Sequence, residues 1–286
     1  MKKVLITGKN SYVGNAVEAH LLQYPDAYQV DKVSLRTNEW QSMDFSIYDV
    51  VIHVAGIAHV SRKKSLKDKY FQINRDLTVN VAKKAKNEGI HQFIFMSSMI
   101  VYSSKETRIT ENTLPNPDNF YGQSKLEAEQ LLSELNDSSF IVSIIRPPMI
   151  YGPMAKGNYL KLSNLARKTP IFPRYPNQRS MIFIENLNLY VRELIKRNNQ
   201  GVFHPQNKET VNTSELVKTI ANIHGKKQFQ TRLFNLPIKA MVKINKTFNK
   251  LFGDYYYAID HDGIMSSLKF VDFKTSVQRT ERGNHD

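Results

Sequence analysis

The chain opens with Val4-Leu5-Ile6-Thr7-Gly8-Lys9-Asn10-Ser11-Tyr12-Val13-Gly14. A short apolar strand runs into a glycine turn and then into helical periodicity. This feature restricts the fold more than any other in the chain. A strand that hands over to a helix must return to the sheet by a crossover, so its next partner lies parallel to it. The turn also leaves bare backbone N–H groups at a helix N-terminus, which suits an anion such as a pyrophosphate.

The same alternation continues to about residue 150. Strands are expected at Val4–Thr7, Val30–Leu35, Val50–Val54, Phe93–Ser97 and Phe140–Ile145. Helices are expected at Tyr12–Leu22, Leu66–Asn87 and Phe120–Leu135. Val50–Val54 and Phe93–Met96 are continuous apolar runs, as in a sheet covered on both faces. The pattern predicts an α/β fold with a doubly wound parallel sheet of the Rossmann type.

After Pro147-Pro148 the texture changes, with further prolines at 153, 170, 173 and 176. Helical patterns follow at Tyr159–Arg167, Asn186–Lys196, Ser214–His224 and Pro237–Leu251, with short strands at Met181–Ile184, Gly201–His204 and Phe229–Leu233. We expect residues 1–150 to bind a dinucleotide and 151–286 to form a smaller mixed α/β substrate lobe, the two interleaved. Thr280–Asp286 is polar and expected to fray.

Zero cysteines exclude disulfides and thiolate chemistry. No apolar run reaches the roughly 18–20 residues that span a bilayer. The first apolar run is shorter than a signal-peptide core, so a cytoplasmic location is expected. The net charge is +14, from 40 Lys and Arg against 26 Asp and Glu. An anionic nucleotide, an anionic membrane or a merely basic surface would each account for it. No zinc spacing and no RNA-binding signature favours nucleic acid, and no metal site is expected.

Tyr121-Gly122-Gln123-Ser124-Lys125 carries the chemistry. A phenol with an ordinary pKa near 10 is a poor acid or base at neutral pH. A lysine one helical turn away lies on the same face and would favour the phenolate. A serine at a strand end, in Ser97-Ser98-Met99-Ile100-Val101-Tyr102, can hydrogen-bond a substrate oxygen.

A glycine turn, a strand-end serine and a Tyr-x-x-x-Lys pair, in that order, resemble the extended short-chain dehydrogenase/reductase family. Several expectations follow from the resemblance. Ser98, Tyr121 and Lys125 would be the catalytic set. Gly8, Asn10, Ser11, Tyr12, Val13 and Gly14 would hold the cofactor phosphates, with Ser11 standing where the family has its middle glycine. Asp44 would meet the adenine, and Ala55, Gly56, Asn74, Lys125 and Pro148 would line the rest of the cofactor. Met99 and Ile100 occupy the places where the family's 4,6-dehydratases carry Asp and Glu, so dehydration is disfavoured. Arg36, after the second strand, is suited to a 2′-phosphate, so NADP(H) is expected in preference to NAD(H), which stays possible.

Arg146-Pro147-Pro148-Met149-Ile150-Tyr151-Gly152-Pro153, Lys156-Gly157-Asn158 and Arg179-Ser180-Met181-Ile182-Phe183 are similar to the branch acting on UDP-4-keto-6-deoxy-N-acetylhexosamines in capsule and O-antigen synthesis. By that likeness Ser98, Met99, Tyr121, Asn158 and Arg179 would contact a UDP-linked sugar, with Arg179 on its diphosphate. The implied reaction is reduction of the C4 ketone. A UDP-hexose 4-epimerase with bound NAD uses the same residues and is the alternative. A non-catalytic dinucleotide-sensing relative is a second one. A homodimer through Leu66–Asn87 and Phe120–Leu135 is the family's habit. Ile238–Leu251, with Ile238, Met241, Val242, Ile244, Phe248 and Leu251 among four lysines, can lie on an anionic membrane or cover the lobe.

Overall fold

The computed structural model describes residues 1–57, 64–259 and 263–283. Six parallel strands form the central sheet: β1 (Lys2–Thr7), β2 (Tyr28–Val33), β3 (Val50–His53), β4 (Gln92–Met96), β5 (Ile141–Ile145) and β6 (Gly201–Phe203). Their order across the sheet is β6-β5-β4-β3-β1-β2. The chain reverses its direction of winding between β1 and β3, and a ligand crevice opens at the carboxyl ends of strands at such a switch.

Alternation along each strand explains why both faces are covered. Val4, Ile6, Val50, Ile52, Ile94 and Ile145 point into one core with Val17 and Leu21 of the helix Tyr12–Leu21 and Leu187, Val191 and Leu194 of the helix Ile184–Arg197. Leu5, Val51, Phe93, Phe95, Val142 and Ile144 point into the other core with Val81 and Ala85 of Leu77–Asn87 and Ala128 and Leu132 of Phe120–Leu135.

Several expected bounds shift. The second strand ends at Val33, which leaves Leu35 and Arg36 beyond the sheet. The run Lys64–Asn87 is a succession of turns, with a π-helical stretch at Gln72–Asp76. Such an extra residue in a helix rotates the side chains it carries, and here it carries Asn74. Gly201–Phe203, read as part of the smaller lobe, is the sixth strand of the main sheet, paired with Ser143–Ile145. The helix Ile184–Arg197 packs on Tyr12–Leu21. Residues 1–150 therefore do not contain the whole sheet. Three small parallel pairs, Met149–Tyr151 with Met181–Phe183, Arg108–Ile109 with Tyr256–Tyr257, and Ile171–Pro173 with Phe229–Thr231, build the second lobe.

The segment Pro237–Leu251 is two helices, Asn235–Ile244 and Lys246–Phe252. Asn245 breaks them, its side chain accepting from the Thr247 and Phe248 N–H groups. Thr280 is not frayed: the helix Phe273–Arg282 buries Thr280 and Glu281 fully, and Glu281 takes a hydrogen bond from Ser163 at 2.7 Å. Residues 284–286 lie outside the described residues. Among the described residues no helix is long and apolar enough to cross a membrane.

Candidate active site

The glycine turn sits at the carboxyl end of β1. Gly8 has φ +91°, a conformation that side chains rarely adopt, and a Cβ there would lie 3.1 Å from the Ala55 nitrogen. A Cβ on Gly14 would lie 2.5 Å from the Ser11 hydroxyl oxygen. Ser11 caps the helix, accepting from the Gly14 N–H at 2.9 Å, the usual service of an N-cap serine. In that role it keeps an O–H to donate. Two positions bare of side chain beside a helix N-terminus fit the diphosphate of a dinucleotide.

Other predicted cofactor residues spread around this turn. Ala55 and Gly56 follow β3. Asn74 clamps them: it accepts from the Ile57 N–H at 2.8 Å and donates to Ile57 O at 3.2 Å and to Ser124 at 3.1 Å. A Cβ on Gly56 would meet Asn74 Oδ1 at 2.9 Å and Lys125 Nζ at 3.4 Å. Arg36 is exposed past the end of β2. Lys9, which the sequence reading passed over, is also exposed, and its N–H bonds to Val33 O at 3.3 Å, beside that same strand end. Asn10 is exposed, and Val13 packs into the core. Asp44 is exposed and ties its own turn, accepting from Ser46 N and Oγ, which holds its carboxyl below the usual range. Pro148 is buried after β5. Tyr12 departs from expectation: its hydroxyl is buried next to Gly152, where a Cβ would approach it to 2.6 Å, so the phenol packs on the lobe junction while its backbone stays in the turn.

Ser98, Tyr121 and Lys125 come together at the carboxyl end of β4. Asn119 starts the helix Phe120–Leu135 by accepting from the Gly122 N–H at 2.9 Å. Gly122 is required by contact, because a Cβ there would lie 2.4 Å from Ile100 O. That close approach brings Tyr121 beside Ser98, near enough for the serine to act on the phenol's acidity. Burial pushes the half-buried Tyr121 phenol up to about 12, while Ser98 pulls it down. Lys125 is not what the spacing alone suggests. Its ammonium donates to Met96 O at 2.9 Å and lies 4.5 Å from the centre of the Phe95 ring. Burial draws it down to about 8, opposed by Glu129. In this geometry it is not among the groups that shift Tyr121.

Behind this set lies a polar network that the sequence did not suggest. Ser97 donates to Glu129, which also receives Arg146 Nη2 at 2.5 Å. Arg146 Nη1 donates to the Tyr102 hydroxyl at 2.7 Å, and that hydroxyl sits 3.0 Å from His204 Nε2. Burial, then Arg146, holds His204 down at about 3, so its ring is neutral where it meets the Tyr102 hydroxyl. Tyr257 closes the chain by donating to Arg146 O at 2.8 Å.

On the substrate side Met99 is buried and its carbonyl accepts from the Tyr255 hydroxyl at 2.9 Å. Arg179 lies against that same ring, 5.9 Å from its centre, and donates to Gly253 O at 2.9 Å. Burial lowers the Arg179 pKa. Tyr255 thus links Arg179 to the turn after Ser98; no sequence pattern marks it. Asn158 is exposed at the start of the helix Asn158–Lys168, and no described contact joins it to Ser98 or Tyr121. A separate cleft of about 860 Å³ opens in the second lobe between Arg174, Tyr175, Lys218, Phe229 and Arg232. None of the predicted site residues lines it.

The family model described as "NAD dependent epimerase/dehydratase family" matches residues 4–169. The chain belongs to this family. It is 32% identical over 281 residues to a UDP-glucose 4-epimerase of Vibrio cholerae, covering 88% of this chain and 83% of that protein. It is 28% identical over 213 residues to an N-acetyl-alpha-D-glucosaminyl-diphospho-ditrans,octacis-undecaprenol 4-epimerase of Escherichia coli O157:H7, covering 71% of this chain and 62% of that protein. Among solved structures, a dTDP-4-dehydrorhamnose reductase from Bacillus anthracis in complex with NADP matches with a TM-score of 0.71 at 19% identity, over 97% of this chain and 98% of that one. That match shows the shared fold.

Proposed function

We propose that this family member is an NADPH-dependent reductase acting on the C4 ketone of a UDP-4-keto-6-deoxy-N-acetylhexosamine. The observation that carries the reading is the convergence of Ser98, Tyr121 and Lys125 at the carboxyl end of β4, where burial pushes the Tyr121 phenol up to about 12 and Lys125 donates to Met96 O. A phenol protonated at neutral pH has a proton to give to an oxygen gaining negative charge, and a positive charge close by would offset the burial that weakens it as an acid.

A nicotinamide dinucleotide, when bound, supplies the hydride. Gly8, Ser11 and Gly14 would cradle its diphosphate, Asn74 and Gly56 would line its ribose, and Arg36 would meet a 2′-phosphate. Ser98 would orient the carbonyl, Tyr121 would protonate its oxygen, and Lys125 would carry the positive charge near both. Met99 and Ile100 have no proton to move, which supports single-carbon chemistry over dehydration. Arg179 and Asn158 would hold the nucleotide diphosphate and the sugar. Such a product would serve surface-polysaccharide synthesis, and a homodimer through 66–87 and 120–135 belongs to the same proposal.

One observation favours a second reading, a UDP-hexose 4-epimerase: the 32% identity to the Vibrio cholerae epimerase over 88% of this chain. The deciding experiment follows NADPH oxidation with the keto sugar generated in place by a 4,6-dehydratase. Oxidation that disappears in Tyr121→Phe, with NADPH binding retained, is the expected result. No oxidation, together with interconversion of UDP-N-acetylglucosamine or UDP-glucose with its C4 epimer, would establish the epimerase instead.

A further inference from the structure

Residues 226–253 contain seven lysines and arginines and no aspartate or glutamate, which is half of the chain's net charge of +14. All seven cations are exposed. The same stretch contains an apolar set that the fold does not cover. Leu233 is 85% exposed, Leu236 82% and Ile244 78%.

Of these, only Ile244 belongs to the set that an amphipathic reading of 238–251 selects. Ile238 and Phe252 are buried in the core, and Val242, Phe248 and Leu251 pack against it. That apolar face therefore covers the second lobe, as one of the two sequence readings allows. The helix Asn235–Ile244 has a second apolar stripe, Leu236, Ala240 and Ile244, spaced four residues apart and turned outward. Lys239 and Lys243 run beside it.

We infer that this outward stripe docks the protein on an anionic membrane surface. Contiguous exposed aliphatic side chains mark an interaction site, and charge selects the occupant. A second copy of this face would set seven cations against seven, which opposes self-association. Phosphates of a nucleic acid would satisfy the lysines and leave Leu233, Leu236 and Ile244 in water. A lipid surface satisfies both: the aliphatic side chains enter the acyl boundary while the lysines stay among anionic headgroups. Neither component holds strongly alone, and together they bind at the plane of the membrane. This inference is independent of the reaction proposed above.

Co-sedimentation of the full chain with phosphatidylcholine vesicles, with and without phosphatidylglycerol, tests it. Binding is expected only with phosphatidylglycerol and should weaken with salt. Lys239→Gln with Lys243→Gln should lower the partition coefficient on the order of 30-fold, and Leu236→Ser with Ile244→Ser by about tenfold or more. Both variants should keep the parent melting temperature and circular dichroism. Absence of binding to phosphatidylglycerol vesicles at low salt would overturn the inference. So would binding that Leu236→Ser with Ile244→Ser leaves intact, which would be adsorption by charge alone. Self-association in solution that the same variant abolishes, without vesicle binding, would assign the stripe to a second copy.

Discussion

Glu129 and Arg146 face each other beneath the candidate active site, Nη2 to Oε2 at 2.5 Å and Nε to the two carboxylate oxygens at 3.2 and 3.1 Å. Both are buried, at 3% and 8% exposure. The pair joins the helix that carries Tyr121 to the strand that leads into the second lobe. Removing one member of a buried pair leaves an uncompensated charge, which costs about 3–5 kcal/mol. Arg146→Ala should therefore lose that much stability in urea unfolding. Arg146→Met combined with Glu129→Leu should recover most of it. A loss under about 1 kcal/mol in the single variant would show that the pair contributes little.

Lys125 gives a pH-dependent prediction. Its folded pKa of about 8 lies below the 10.5 of the unfolded chain. Between those values the folded state binds fewer protons, so stability rises with pH across that window. Below it the full cost of the buried charge remains, about 3 kcal/mol. Lys125→Met in the cofactor-free protein should thus be more stable than the parent at pH 7. The gain should shrink as pH rises from about 8 to 10.5, and activity should be lost. Calorimetry across pH checks both signs.

Gly122 tests how tightly the two hydroxyls are registered. A Cβ there would lie 2.4 Å from Ile100 O and 2.8 Å from the Pro117 Cβ. Neither neighbour is the free end of a flexible chain, so Gly122→Ala must move the helix start away from Ser98. A displacement near 1 Å lowers turnover by about 100-fold. We expect kcat to fall by that order with cofactor affinity largely kept, measured by steady-state kinetics and fluorescence titration.

In the proposed function Arg36 would set the cofactor preference. It is exposed beyond β2, so its replacement should not disturb folding. Loss of a charge-assisted hydrogen bond to phosphate costs about 1.5–3 kcal/mol. Arg36→Ala should lower kcat/KM with NADPH by tenfold or more and leave that with NADH unchanged. An unchanged ratio would assign the preference elsewhere, with Lys9 the next residue to replace.

The sheet was legible because it rests on local periodicity. The apolar runs at Val50–Val54 and Phe93–Met96 read as strands buried on both faces. Gly8 and Gly14 read as a turn because they lie between an apolar strand and a helical pattern. Tyr121 and Lys125 read as one helix face because their spacing is one turn. Gly201–Phe203 was misplaced because three residues carry no sign of their partner. That partner, β5, lies some sixty residues earlier, and only the folded chain pairs them.

The sequence by itself determined the strand–turn–helix order, the residue types at the active centre and the absence of proton-carrying groups at Met99 and Ile100. These follow from neighbours along the chain. Only the tertiary structure decided that Lys125 rests on Met96 O, that Glu129 and Arg146 brace the site, that Tyr255 joins Arg179 to Met99, and that Leu236 and Ile244 turn outward. The reason is physical. A side chain's charge state and partners depend on burial and on groups brought close from distant parts of the chain, and neither is encoded by spacing along it.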